Sequence, residues 1–297
     1  MLSIVITAFN EPLLYRAIDA ILFQKIDEEY ELIVAAPDKE TENLVKEYKK
    51  KYSNIRYFKD PGKGKVYALN LLFKELKGRI WILTDGDVFL DNGAINKILK
   101  VFEDKKIGCV TGRVICENPR YTLYGYWGKL LADCGAHRIR KKLSEEGKFL
   151  ECTGYLFAFR NNNIIKNIPV DVAEDSIIPY YFWKNGYKIG YVENARVFVK
   201  NPTIIKDWLK QRKRTADAHT KLKYYAPDFP KIKSFKNEAF KGIFWIWSYP
   251  KTSKEFIWTI ELVFVRLYMW LSLYYDIHFK KKYYVDNWER SHTTKHL

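Results

Sequence analysis

The chain has 297 residues but only four cysteines, and no two of them form a CxxC pair. Cys109, Cys116, Cys134 and Cys152 stand apart, and no histidine lies close enough to suggest a zinc site. Reduced, buried thiols of a cytoplasmic protein are the expectation. Acidic residues are in deficit, with 35 Asp+Glu against 51 Lys+Arg and a formal net charge of +16. Such an excess fits a nucleic acid, a phosphorylated substrate, an anionic membrane face, or a lysine-rich solvated surface. Nucleic acid is disfavoured: there is no helix-turn-helix, no ribonucleoprotein-type aromatic motif and no basic block. Internal repeats and low-complexity tracts are absent as well. No basic segment precedes the apolar start Leu2-Ser3-Ile4-Val5-Ile6-Thr7, so no signal peptide is expected.

The composition present is that of a globular protein. Hydrophobic residues make up 47% and charged residues 29%, enough for a packed core. The length suits one large α/β domain with an appendage. Residues 1–115 alternate apolar strand runs with helical periodicity, which predicts a mostly parallel sheet covered on both faces. Ligands of such sheets sit at the carboxyl ends of the strands. The segments following those ends are Phe9-Asn10-Glu11, Ala36-Pro37-Asp38, 59–65 and Asp85-Gly86-Asp87. They are expected to converge on one edge. A helix over 121–142, a turn and strand over 151–160, a helix over 177–184, a strand over 187–199 and a basic helix over 203–224 follow. A long aromatic segment, 256–279, lies near the C-terminus.

Asp85-Gly86-Asp87 is the most informative segment. It follows the buried-strand pattern Ile80-Trp81-Ile82-Leu83-Thr84. Two carboxylates one residue apart at a strand end suit one hard divalent cation, Mg²⁺ or Mn²⁺, with room left for substrate phosphates. The same tripeptide is also an ordinary turn composition. Lys65 follows Gly62-Lys63-Gly64, which lacks the spacing and the Ser/Thr of a Walker loop; either lysine could reach a phosphate or stay in solvent.

Read together, these elements resemble the family-2 glycosyltransferases of the GT-A fold, from about Ser3 to Thr215. The resemblance rests on Ile4–Glu11, on Gly64-Lys65 with Ala68-Leu69-Asn70, and on Asp85-Gly86-Asp87. It continues through Cys152-Thr153-Gly154, Ala173-Glu174-Asp175 and Gln211-Arg212-Lys213-Arg214. The Gly-Lys-x-x-Ala-Leu-Asn and Gln-x-x-Arg elements are most similar to the branch of cellulose, chitin and hyaluronan synthases. Two positions depart from that branch. Thr215 stands where Trp usually closes the last motif, and Asp38 is the one carboxylate after the second strand.

The resemblance implies a metal-dependent inverting transfer of a sugar from a nucleotide-diphosphate sugar, of UDP or GDP type, to a hydroxyl of a glycan or glycolipid acceptor. It implies a GT-A domain over 1–225, with a nucleotide-sugar half (1–115) and an acceptor half (116–225). By resemblance Asp87 binds the cation, with Asp85 nearer the ribose and phosphates. Asp175 is the general base and Glu174 its neighbour, although both also fit the acidic start of a helix. Phe9, Glu11, Asp38 and Lys65 fall on the nucleotide-sugar side. Gln211 and Arg214, three apart and so on one helical face, would hold the leaving phosphates, or belong to a solvated basic face. Thr153 and Gly154 would line the acceptor side. The five histidines form no cluster and receive no role.

The remaining segment, 226–297, is read as a helical, aromatic-rich and basic extension. Glu261, Arg266 and Asp276 interrupt 256–279 and argue against a membrane span. Trp258, Leu262, Val265, Trp270 and Leu273 recur at near-helical spacing, and Lys280, Lys281 and Lys282 follow. This fits a helix lying on the inner face of the cell membrane, or one packed on the catalytic domain. The alternatives to a membrane-surface enzyme are a soluble transferase acting on a water-soluble glycan, and a non-catalytic binder of sugar nucleotides or nucleic acid.

Overall fold

A computed structural model describes residues 1–219, 221–230, 243–280 and 294. Its frame is an eight-stranded sheet in the order β3-β2-β1-β4-β7-β6-β8-β5. The strands are β1 (Leu2–Thr7), β2 (Tyr30–Ala36), β3 (Ile55–Lys59), β4 (Ile80–Asp85), β5 (Val88–Leu90), β6 (Ile107–Cys116), β7 (Leu156–Arg160) and β8 (Lys188–Val199). Four helices connect them in the first half: α1 (Leu14–Leu22), α2 (Lys39–Lys49), α3 (Lys65–Leu72) and α4 (Ala94–Val101).

The first half is parallel. β1 lies between β2 and β4, with Ile4 beside Leu32 and Ile82, and β3 extends the sheet beyond β2. Every residue of β1 is buried, because helices cover both of its faces. Ile4, Ile6, Leu32 and Ile82 pack with α1 on one side, and Val5, Ile33 and Leu83 pack with α3 on the other.

The second half mixes directions. β7 runs antiparallel to both β4 and β6, and β5 runs antiparallel to β8. β6 and β8 are parallel, with a register shift between Gly112 and Arg113. A Cβ on Gly112 would lie 2.4 Å from the Ala195 carbonyl oxygen, so the close approach there requires glycine. β5 was not expected from the sequence, since three residues are too short for a periodicity to register.

Beyond β6 the chain forms α5 (Leu123–Leu130), a π-helical turn (Leu131–His137) and α6 (Arg138–Glu145). Then come α7 (Glu174–Lys184), α8 (Ile205–Asp217) and the short α9 (Leu222–Tyr225). The basic helix expected over 203–224 is therefore two helices.

The last long helix, Ser253–His278, lies against α5 and α8. The Thr252 side chain caps it by accepting from the Glu255 N–H. Its inner side is fixed along its length. Arg120 holds Glu255 through two hydrogen bonds of 2.7 and 3.0 Å. Tyr126 and Thr259 share one of 2.6 Å, and the Trp127 indole donates to the Trp258 carbonyl at 2.7 Å. Lys213 of α8 donates to Ser272 and pairs with Asp276.

Trp208 of α8 is fully buried edge-on against Trp127, their rings 5.4 Å apart. Truncating such a residue to Ala costs about 3–5 kcal/mol. Leu262 and Leu273 are buried, and Trp258 and Val265 pack against the same cluster as Trp208. The stripe expected to meet a membrane is thus largely the packed side. The outward side is a different set, among them Ile257, Phe264 and Leu271, each more than half exposed. Lys281 and Lys282 lie outside the described residues.

Candidate active site

The loops after β1, β2, β3 and β4 meet at the carboxyl edge of the parallel half, as the alternation predicts. The Gly86 N–H donates to the Thr7 carbonyl at 2.9 Å, and Thr7 Oγ1 donates to Asp85 Oδ1 at 2.8 Å. A Cβ on Gly86 would approach Ala8 Cβ to 2.8 Å, so a larger residue would push the turn off the end of β1. Glycine here lets the two aspartates flank a turn held tightly to the sheet. Asp85 is partly buried and Asp87 is exposed.

Lys65, the first residue of α3, links this turn to the second half. Its Nζ lies 2.7 Å from Asp85 Oδ1 and 2.6 Å from Glu174 Oε1. Burial alone would lower the lysine pKa, but the two carboxylates override it and hold the ammonium well above its usual value. Burial pushes the Glu174 carboxyl up, Lys65 draws it back and the Asp175 charge adds to the rise.

Glu174 and Asp175 open α7, where the helix dipole favours acids. The Gly154 N–H donates to Asp175 Oδ2 at 3.1 Å, and the Cys152 N–H to the Asp175 carbonyl at 3.0 Å. A methyl group on Gly154 would sit 3.5 Å from Glu174 Oε1, 3.7 Å from Lys65 Nζ and 3.9 Å from Asp175 Oδ2. Glycine therefore leaves open the space in front of all three groups. Five expected site residues, Lys65, Asp85, Gly154, Glu174 and Asp175, come together in this way.

The other expected residues surround them. Tyr155 marks the link to α8. Burial and the Asp87 charge push its phenol up to about 12, while Arg212 and Arg214 act in the opposite sense. Arg214 is exposed and Gln211 half-buried. Asp38 caps α2, accepting from Thr41 N at 2.9 Å, and also accepts from Asn10 N at 2.9 Å. Burial would raise its pKa, but these N–H groups win and hold it below the usual carboxylate range.

Asn10 takes a left-handed conformation, φ 45°, between half-buried Phe9 and Glu11. Asparagine tolerates that region better than most residues. The Glu11 side chain accepts from Leu13 N at 3.3 Å, as an acid at a helix start does. Thr153 is buried, its N–H on Thr111 Oγ1 at 3.0 Å, which leaves Gly154 as the more open member of that pair. Lys63 is exposed and lies over the Tyr67 ring.

Among the described residues, no group of three or more His, Cys, Asp or Glu side chains is arranged to hold a metal ion. A hard cation at the turn of Asp85 and Asp87 would need its remaining ligands from elsewhere, such as the oxygens of a diphosphate.

Other contributors carried no local sequence signal. Thr7 orients Asp85 from 78 residues away. Arg140 donates to the carbonyls of Glu151 and Cys152, both at 2.9 Å, and so holds the loop that carries Gly154. Behind Asp175, the side chains of Glu151, Ser176 and His219 meet. They are 25 and 43 residues apart in sequence, too far for any spacing rule to pair them.

This sheet order, with an Asp-x-Asp turn at its edge and a lysine-bridged acid pair facing it, defines a glycosyltransferase of the GT-A fold. The chain belongs to glycosyl transferase family 2, whose model matches residues 3–164. It is similar to hyaluronan synthase of Streptococcus pyogenes, with 26% identity over 163 residues, covering 51% of this chain and 39% of that protein. The chain thus spans about two fifths of the length of the curated relatives it matches. Among solved structures it is similar to the mannosyltransferase PcManGT from Pyrobaculum calidifontis in complex with GDP-Man and Mn²⁺. The TM-score is 0.65 at 15% identity, covering 95% of this chain and 88% of that one. It is also similar to GalNAc-T7 with UDP, GalNAc and Mn²⁺, with a TM-score of 0.50 at 18% identity, covering 84% and 58%.

Proposed function

We propose that this chain moves a sugar, with inversion, from a nucleoside-diphosphate sugar to a hydroxyl acceptor. The observation that carries the reading is the convergence of Asp85, Lys65, Glu174, Asp175 and the open face of Gly154 at one sheet edge. Asp175 takes the proton of the acceptor hydroxyl as that oxygen attacks the anomeric carbon. Gly154 N–H holds one oxygen of the base and so aims the other. Lys65 and Glu174 keep the base and the Asp85 turn in register. Asp85 and Asp87 would hold Mn²⁺ or Mg²⁺, which neutralises charge on the departing diphosphate when bound. Arg214, with Gln211 beside it on α8, supplies further positive charge for the leaving group. Phe9, Glu11 and Asp38 flank the nucleoside.

A thermal-shift panel of UDP-, GDP- and dTDP-sugars, each with and without Mn²⁺, tests this reading. A ligand at 100 times its Kd adds about 2.7 kcal/mol of stability. Stabilisation by one nucleotide class, dependent on Mn²⁺, is expected. No response to any nucleotide would remove the reading.

A location at a membrane surface is part of the proposal. The helix Ser253–His278 is long and apolar enough to cross a bilayer by length and composition. Its inner side, however, is bound along its length to α5, α8 and Arg120, so lipid surrounding it on all sides is incompatible with this packing. Its outer side carries Phe256, Ile257, Ile260, Phe264, Leu267 and Leu271, all exposed, with Tyr268, Tyr274 and Tyr275 beside them. An apolar face with tyrosines on a chain of +16 charge suits a helix lying in the headgroup region of an anionic leaflet. The acceptor would then be lipid-linked and the donor cytoplasmic. Co-sedimentation of the full chain with anionic liposomes at low salt is the check. A full chain that stays in the supernatant favours a soluble enzyme acting on a water-soluble glycan.

A further inference from the structure

Ser176 follows Asp175 at the start of α7 and is fully buried. Its hydroxyl donates to Glu151 Oε2 at 2.8 Å and lies 3.0 Å from His219 Nε2, with Asp175 Oδ1 further off at 3.4 Å. His219 lies just beyond α8. Its Nδ1 is 2.6 Å from the Thr215 carbonyl oxygen and its Nε2 2.8 Å from Glu151 Oε2. Both ring nitrogens therefore face acceptors. The ring thus ties the end of α8 to Glu151 and Ser176 in a buried polar cluster.

The Ser176 hydroxyl, held by Glu151, and the Asp175 carbonyl oxygen, held by the Cys152 N–H at 3.0 Å, together fix the first turn of α7. Asp175 Oδ2 already accepts from Gly154 N. The base is thus held through its backbone and through one carboxylate oxygen.

We infer that His219 is a positioning residue for Asp175. It acts through Glu151 and Ser176, and it makes the orientation of the base depend on the docking of α8. This rests on the reading of Asp175 as the general base. The consequence is a link between the two substrates' sides: α8 carries Gln211 and Arg214, while α7 carries the base. His219, two residues past the end of α8, is the contact that joins them.

The test is a mutant cycle on donor turnover, followed as release of UDP or GDP from their sugar nucleotides with Mn²⁺. Ser176→Ala and His219→Met should each lower kcat about tenfold, less than the 10²–10⁴ expected from removing the base itself. The KM for donor should stay within about twofold. The double variant should be no slower than either single, because both act through one hydroxyl. His219→Gln, which keeps an N–H for Glu151, should recover most of the lost rate. Additive losses in the double variant, or equal losses for Gln and Met, would leave His219 a structural residue and overturn the inference. Wild-type kcat in both single variants, with Asp175→Asn inactive, would sink the inference and spare the base. Full activity in Asp175→Asn, or no turnover of any donor by the wild type, would remove the base reading and this inference with it.

Discussion

The two halves of the sheet carry the site in different ways. In the parallel half, β3-β2-β1-β4, each contribution sits in the few residues after a strand, and the strand's own apolar run announces it. In the mixed half, β7-β6-β8-β5, the contributions come from a loop before β7, from the first turn of α7 and from α8. Only α8 follows the carboxyl end of a strand, β8, that runs in the same sense as the first half; the other two do not. The first half is a modular edge, where the fold forces every loop to the same place. The second is assembled by tertiary contacts, chiefly the bridge from Lys65 to Glu174 and the stitch from Gly154 to Asp175. A substitution in the first half should therefore act on binding. One in the second should act on the chemical step or on assembly.

The largest expected effect breaks the first half. Asp87→Ala should abolish transfer and Mn²⁺-dependent nucleotide binding with little change in Tm, because Asp87 is exposed on a turn. Calorimetric titration with UDP and GDP, with and without Mn²⁺, reads this; a variant that turns over donor normally would remove the cation role of the turn. In the second half, Asp175→Asn should lower transfer by roughly 10²–10⁴ while nucleotide affinity is kept. If nucleotide binding fell and the chemical rate held, the residue would belong with the first half and the contrast would disappear.

Arg214→Ala tests a residue of the second half proposed to serve donor binding. Loss of nucleoside-diphosphate affinity should exceed loss of nucleoside affinity by about tenfold, as expected for a charge-assisted phosphate contact. Equal losses for the two ligands would mark α8 as structural at this position.

The smallest effect is on Asp38. Asp38→Ala removes the cap of α2 and should cost about 1 kcal/mol in urea denaturation. Its folded pKa is depressed below the unfolded value. Its contribution is therefore present above the unfolded carboxylate pKa, about 4, and fades as pH falls through the lower folded value. The stability difference between wild type and variant should accordingly shrink below about pH 4. A difference that is constant down to pH 2 would mean that the charge of Asp38 contributes nothing.

Much of this was legible beforehand, for identifiable reasons. Strands buried on both faces must be apolar throughout, so β1, β2 and β4 show as runs, and their ends point to the ligand edge. Asp85-Gly86-Asp87 was visible because two ligands one residue apart need no tertiary structure to be neighbours. Helix ends were less legible. The basic periodicity of 203–224 crosses a break after Asp217 that no glycine or proline signals.

The long helix shows the limit most plainly. Apolar residues cover most of its circumference, so sequence spacing picked out Trp258, Leu262 and Val265 although Ile257, Phe264 and Leu271 recur just as regularly. The pairing of Glu255 with Arg120 and of Thr259 with Tyr126 decided which side turned inward.

By itself the sequence determined the alternation of strand and helix, the ligand edge, the acidic turn and the excess of positive charge. Each follows from local periodicity, local composition or a sum over residues. Only the tertiary structure decided that Lys65 bridges Asp85 and Glu174, that His219 meets Glu151 and Ser176 behind Asp175, and which face of the last helix remains bare. Those contacts join residues 20 to 135 positions apart. Their geometry is set by how buried charges and polar groups find partners in the packed fold, which no local pattern encodes.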